Sequence, residues 1–85
     1  MKPVTIYTKA MCPYCSRALR LLSDKGAEIT EIKAGFDADK KTEMIQRSGG
    51  GRTFPQIFVG DEHVGGCDDL MKLERDGKLD AMLAA

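Results

Sequence analysis

Between Pro3 and Thr8 the chain alternates, Val4 and Ile6 against Thr5 and Tyr7, which is the period of a short strand. From Pro13 the repeat lengthens. Ala18, Leu19, Leu21 and Leu22 recur at helical spacing among Arg17, Arg20 and Lys25, and Gly26 follows as a stop. Residues 27 to 32, AEITEI, alternate again. Two strands joined through a helix make a right-handed βαβ unit with parallel strands the economical arrangement. Residues 37 to 48, DADKKTEMIQRS, predict a charged helix with a narrow apolar face at Met44 and Ile45, ended by Gly49, Gly50 and Gly51. Gln56 to Val59 reads as a strand, Gly60 and Asp61 as a turn, and Glu62 to Val64 as a short return strand, which is hairpin chemistry. In the last stretch Leu70, Met71, Leu73, Leu79, Met82 and Leu83 follow a helical repeat that Gly77 breaks or bends. The order βαβ then αββα predicts an α/β fold: a four-stranded mixed sheet flanked by helices.

Composition narrows the function classes. Eighty-five residues fit a single domain, 1–85, and are too few for two. Thirteen Lys+Arg offset thirteen Asp+Glu, so no net field recruits nucleic acid or an anionic membrane, and a charged ligand must be held by local groups. Residues 1 to 10 lack the apolar run of a signal peptide, and nothing approaches the roughly 20-residue apolar span of a membrane helix. A cytoplasmic location is therefore expected. Three cysteines are too few for the dense bridging that staples small secreted folds, and the odd count leaves a thiol outside any intramolecular bridge.

The stretch KAMCPYCSRA sets Cys12 and Cys15 three positions apart where the first strand gives way to a helix. With Pro13 at the first helical position, where its missing N–H costs nothing, Cys15 falls one turn on and on the same side. The two sulfurs are then within reach of a disulfide that can form and break without moving the fold. Cys12 would receive the unpaired N–H groups and partial positive charge of the helix start, with Lys9 adding a full charge nearby. Cys12 is thus expected to be ionised and to attack, and Cys15, inside the helix and facing the sheet, to stay protonated and to resolve. A zinc site needs about four ligands, and beyond this pair the chain offers only Cys67, His63 and scattered carboxylates, so no metal is expected. A structural staple over so short a loop removes little unfolded-chain entropy.

Two further segments, RTFPQIFV at 52 to 59 and GGCDD at 65 to 69, join YTKAMCPYC in a combination that resembles a glutaredoxin of the small dithiol bacterial type. The resemblance implies a thioredoxin-like fold, with glutathione as reductant and co-substrate. It also implies that Pro55 is cis, turning the backbone of Phe54 toward Cys12 so that an extended tripeptide can pair with it. Gly65 and Gly66 would let backbone approach closely, and the N–H groups of Cys67 and Asp68 would hold the γ-glutamyl carboxylate. Asp68 or Asp69 would take the ammonium group. Lys9, with help from Gln46, Arg47 or Arg52, would face the glycine carboxylate.

Each of these residues also has a plainer reading. Tyr14 is either a surface aromatic or a shield over the active sulfur that contacts ligand. Thr53 either forms a turn or contacts ligand. Cys67 is read as a small buried apolar residue within the binding segment, and His63 as surface structure. Phe54 stands where the family often has valine, and its backbone role is unaffected. A monomer acting on disulfide-containing or glutathionylated proteins is expected. Two alternatives remain open: a thioredoxin-like reductant served by a flavoprotein reductase, and a dimer holding an iron-sulfur cluster on two Cys12 thiolates and two glutathiones.

Overall fold

A computed structural model describes residues 1–84. The first alternating segment forms β1 (Val4–Thr8), and the helix that follows, α1 (Pro13–Asp24), leads to β2 (Ile29–Lys33). Next come α2 (Ala38–Arg47), the hairpin strands β3 (Gln56–Val59) and β4 (Glu62–Gly65), and two short helices, α3 (Cys67–Arg75) and α4 (Leu79–Ala84). The sheet order is β2-β1-β3-β4. β1 runs parallel to β2, as the helical crossover requires, and antiparallel to β3. This is the mixed sheet that the element order predicts. Among the described residues no helix is long and apolar enough to cross a membrane.

The helices end where the glycines stand. After α1, Gly26 takes φ +72, and its N–H and that of Ala27 reach back to Ser23 O at 2.9 Å and Leu22 O at 3.1 Å. This pair of bonds satisfies carbonyls the helix would otherwise leave bare, and it needs a left-handed residue at its centre. α2 and α3 end with the same two bonds, around Gly49 and Gly77. Gly77 therefore separates two helices rather than bending one.

Both faces of the sheet are covered, and here the structure departs from the alternation. On one face Val4, Ile6, Ile57 and Val59 pack with Ala18 and Leu22 of α1, Leu70 of α3, and Leu79 and Leu83 of α4. On the other, Tyr7 and Phe58 are buried with Ala34 and Met44, under α2. The alternation grouped Tyr7 with Thr5, yet Tyr7 is fully buried. Its phenol remains satisfied there, donating to Glu43 Oε2 at 2.6 Å, while its ring meets Phe58 edge-on at 5.8 Å. The narrow apolar face of α2 suffices because the sheet supplies the aromatic partners.

Candidate active site

The turn at 9–11 carries the chain from the end of β1 to α1, with Met11 at φ 54. Cys12 is then extended, at φ −110 and ψ 101, and serves as N-cap of α1 with Pro13 in the first turn. A cap side chain accepts one of the N–H groups that a helix start leaves unpaired. Here the acceptor is sulfur: the Cys15 N–H points at Cys12 Sγ from 3.3 Å. The Cys12 sulfur therefore sits at the positive end of the helix dipole with a directed donor aimed at it.

Cys15 has the opposite environment. Both thiols are free and buried, Cys12 7% and Cys15 3% exposed. Burial first, and then the hydrogen bond with Cys12, push the Cys15 thiol up from 9.0 to about 12, against a backbone hydrogen bond from Lys9 that pulls it down. Cys15 is a protonated thiol at neutral pH.

The sheet brings the second segment to this sulfur. β3 lies next to β1, with Gln56 opposite Tyr7, so the residues just before β3 arrive beside the turn that holds Cys12. The Phe54–Pro55 peptide is cis, and Phe54 O lies 4.0 Å from Cys12 Sγ. Phe54 also borders a groove of about 360 Å³ that reaches the start of α3, and Cys12 and Cys15 lie beside this groove rather than in its lining. Tyr14, Thr53, Phe54 and Pro55 line it on one side, and Gly66, Cys67, Asp68 and Asp69 at the other end.

The α3 end is built tightly. Gly65 has φ +115, and a Cβ there would overlap the Asp69 carboxylate. That carboxylate accepts from the Gly66 N–H at 3.0 Å, so Asp69 caps its own helix while Asp68 stays exposed in the groove. Cys67 is buried at the first position of α3. Burial raises its thiol most; Arg17 opposes this, and Asp68 and then Cys12 add to it.

Lys9 stands outside this groove. Its Nζ sits 5.8 Å from the Phe54 ring centre, and its side chain borders a separate hollow with Lys33 and Phe36. Arg47 is engaged elsewhere: its guanidinium stacks 4.2 Å from the Phe58 ring centre and donates to Gly60 O at 3.3 Å and Tyr7 Oη at 3.5 Å. Gln46 and Arg52 are exposed and do not line the groove either.

Three residues given no ligand role by the sequence do line it, Gly51, Gln56 and His63, as does Gly65. Gln56 is 4% exposed, and its amide nitrogen donates to Thr53 O at 3.0 Å and Thr53 Oγ1 at 3.1 Å. Its amide oxygen therefore faces His63 Nε2 at 2.7 Å, which must carry the proton. Thr53 thus holds a turn and borders the groove at once. His63 is exposed, as expected for surface structure, but it also stacks on Phe58 at 4.9 Å between ring centres. Among the described residues no group of three or more His, Cys, Asp or Glu side chains gathers as a metal site.

The family model described as Glutaredoxin matches residues 4–64. A Pseudomonas aeruginosa glutaredoxin is 53% identical over 85 residues, covering all of both chains. Glutaredoxin 3 of Escherichia coli (strain K12) is 52% identical over 83 residues, 98% of this chain and 99% of that one. Among solved structures, a buckwheat glutaredoxin-glutathione complex superimposes with a TM-score of 0.85 at 37% identity, over 98% of this chain and 77% of that one. The fold is thus the thioredoxin-like one. With a dithiol at the head of a helix, a cis-proline loop against it and relatives matched from end to end, this chain belongs to the glutaredoxin family.

Proposed function

We propose that in this chain Cys12 is the attacking sulfur and Cys15 the resolving one. The general activity is that of the family: the chain is a glutathione-dependent thiol-disulfide oxidoreductase. The observation that carries the division of roles is the asymmetry between two adjacent thiols. Cys12 Sγ accepts an N–H at 3.3 Å, whereas burial holds the proton on Cys15.

Against a protein disulfide, Cys12 Sγ forms a bond to one sulfur, and the other leaves as a thiolate and takes a proton. Cys15 then gives up its proton, bonds to Cys12 and releases the second substrate sulfur. The Cys12–Cys15 bond is reopened by two glutathione thiols, which are oxidised together to their disulfide. Against a glutathionylated protein only Cys12 is needed. It takes the glutathione sulfur, frees the protein thiol, and is released in turn by a second glutathione.

The groove suits that tripeptide. Its length from Phe54 to α3 would place the cysteinyl sulfur at Cys12, with extended backbone paired along Phe54 before Pro55. The N–H groups at Cys67 and Asp68 suit the γ-glutamyl carboxylate, and Asp68 suits the ammonium group. Asp69 acts through the cap it provides. Thr53 shapes the wall, Gly66 leaves room for backbone, and Tyr14 covers the sulfur. Lys9 is left to steer the glycine carboxylate from outside the groove rather than from its floor. The family match favours glutathione over a flavoprotein reductase as the source of electrons. We take the chain to act as a monomer in the cytoplasm on disulfide-containing or glutathionylated proteins.

The test is turnover of the glutathione mixed disulfide of mercaptoethanol, followed through glutathione reductase. Rapid turnover that requires glutathione is expected. Turnover supported by thioredoxin reductase in place of glutathione would contradict the proposal.

A further inference from the structure

We infer that the flank of Cys12 outside the glutathione groove is a docking surface for the polypeptide of a protein substrate, one carrying carboxylates and an apolar side chain next to its reactive cysteine. The inference rests on the proposed thiol-disulfide exchange at Cys12 and names the partner that this exchange fits.

Two turns meet on this flank, residues 9–11 before Cys12 and residues 34–37 after β2. The Ala34 N–H donates to Thr8 O at 2.8 Å, and a Cβ added at Gly35 would stand 2.6 Å from Lys9 Cβ, so the turns are packed directly together. Each turn sends a large apolar side chain into water. Met11 is 99% and Phe36 98% exposed, against 57% for Tyr14 on the other side of Cys12. Met11 also holds a left-handed φ of 54, a conformation unfavourable for a residue that carries a side chain. Exposed apolar groups and local strain in the turn before a nucleophile point to contact with a partner.

Charge decides what kind of partner. The hollow between the turns is bordered by Lys9, Lys33 and Phe36, with Asp37 as its one carboxylate. Asp37 Oδ1 already accepts from the Lys40 N–H at 3.1 Å as the N-cap of α2, whereas neither lysine is in an ion pair among the described residues. The surface is therefore cationic and apolar, and the complement is acidic and apolar. The groove proposed for glutathione shares no lining residue with this hollow, and Lys9, beside Phe54, stands between the two. A glutathionylated protein can thus lay its glutathione in one and its polypeptide on the other.

The experiment compares three glutathione mixed disulfides: a peptide with aspartate and leucine around its cysteine, a peptide with lysine and serine there, and mercaptoethanol. Wild type is expected to favour the acidic peptide over the basic one by about tenfold in kcat/KM. Phe36→Ser with Lys33→Glu should abolish that preference and leave the mercaptoethanol substrate unchanged. Both residues are exposed, so the fold should survive. Equal kcat/KM for the two peptides on an enzyme that turns over the mercaptoethanol substrate overturns this inference alone. No turnover of any of the three overturns the underlying exchange reaction as well. A wild-type dimer in sedimentation that Phe36→Ser dissolves gives the patch to a second copy of the chain and overturns the inference too.

Discussion

Cys15 keeps its proton far into the alkaline range because its thiolate would be buried and would face Cys12. In the unfolded chain that thiol ionises at an ordinary value of 9.0, and in the folded chain only at about 12. Between those limits the unfolded state has released a proton that the folded state still binds, so stability falls as pH rises through that window and is unaffected below it. The denaturant midpoint of the reduced protein should therefore drop above about pH 9, and Cys15→Ser should flatten the drop. Cys67, raised in the same direction, should leave a smaller slope behind. A midpoint as flat in wild type as in Cys15→Ser would refute the burial assigned to this thiol. The protonated state of Cys15 was legible in the sequence, because a cysteine one turn into an amphipathic helix faces the core. The link from Thr53 through Gln56 to His63 was not. It depends on the hairpin register that sets His63 opposite Phe58 and on the Gln56 amide being held by Thr53, contacts that no local pattern announces.

The elements that hold the site end or begin at residues with one job each. Helix stops were readable because Gly26, Gly49 and Gly77 stand just after apolar repeats, and each proves to be the left-handed residue of its cap. The start of α3 is subtler. Gly65 must avoid the Asp69 carboxylate, and Asp69 must hold the Gly66 N–H, so the helix start and the strand end are fixed together. Gly65→Ala forces both a strained φ and loss of that cap. It should cost roughly 1–3 kcal/mol, lower the Tm by several degrees and raise the KM for glutathionylated substrates more than it lowers kcat. An unchanged Tm together with an unchanged KM would show that this junction does not shape the groove. The GGCDD segment signalled the close approach, but its cause, a capping carboxylate, emerged only from the folded chain.

For the molecule as a whole, the sequence revealed the order of elements and the parallel pairing of β1 with β2, since a helix between two strands leaves few other arrangements. It did not reveal that β1 would be covered on both sides. An alternating strand reads as one-sided, and the burial of Tyr7 depends on Phe58 and Met44, which are distant in sequence. That two-sided packing holds β1 at the centre of the sheet beside β3, which is why Cys12 and Phe54, 42 residues apart, meet. Each of the three segments behind the family resemblance reaches one groove, the first through Tyr14, the second through Thr53 to Gln56 and the third through Gly65 to Asp69, whereas Lys9 borders a separate hollow.

Exchange at this site depends on a sulfur at the head of α1 that accepts an N–H, with a protonated thiol behind it. The decisive measurement is the rate at which Cys12→Ser and Cys15→Ser remove glutathione from a glutathionylated peptide. The Cys12 variant should be inactive, and the Cys15 variant should retain the reaction while losing the ability to form an internal disulfide. Activity surviving in Cys12→Ser, or vanishing in a folded Cys15→Ser, would contradict this dependence.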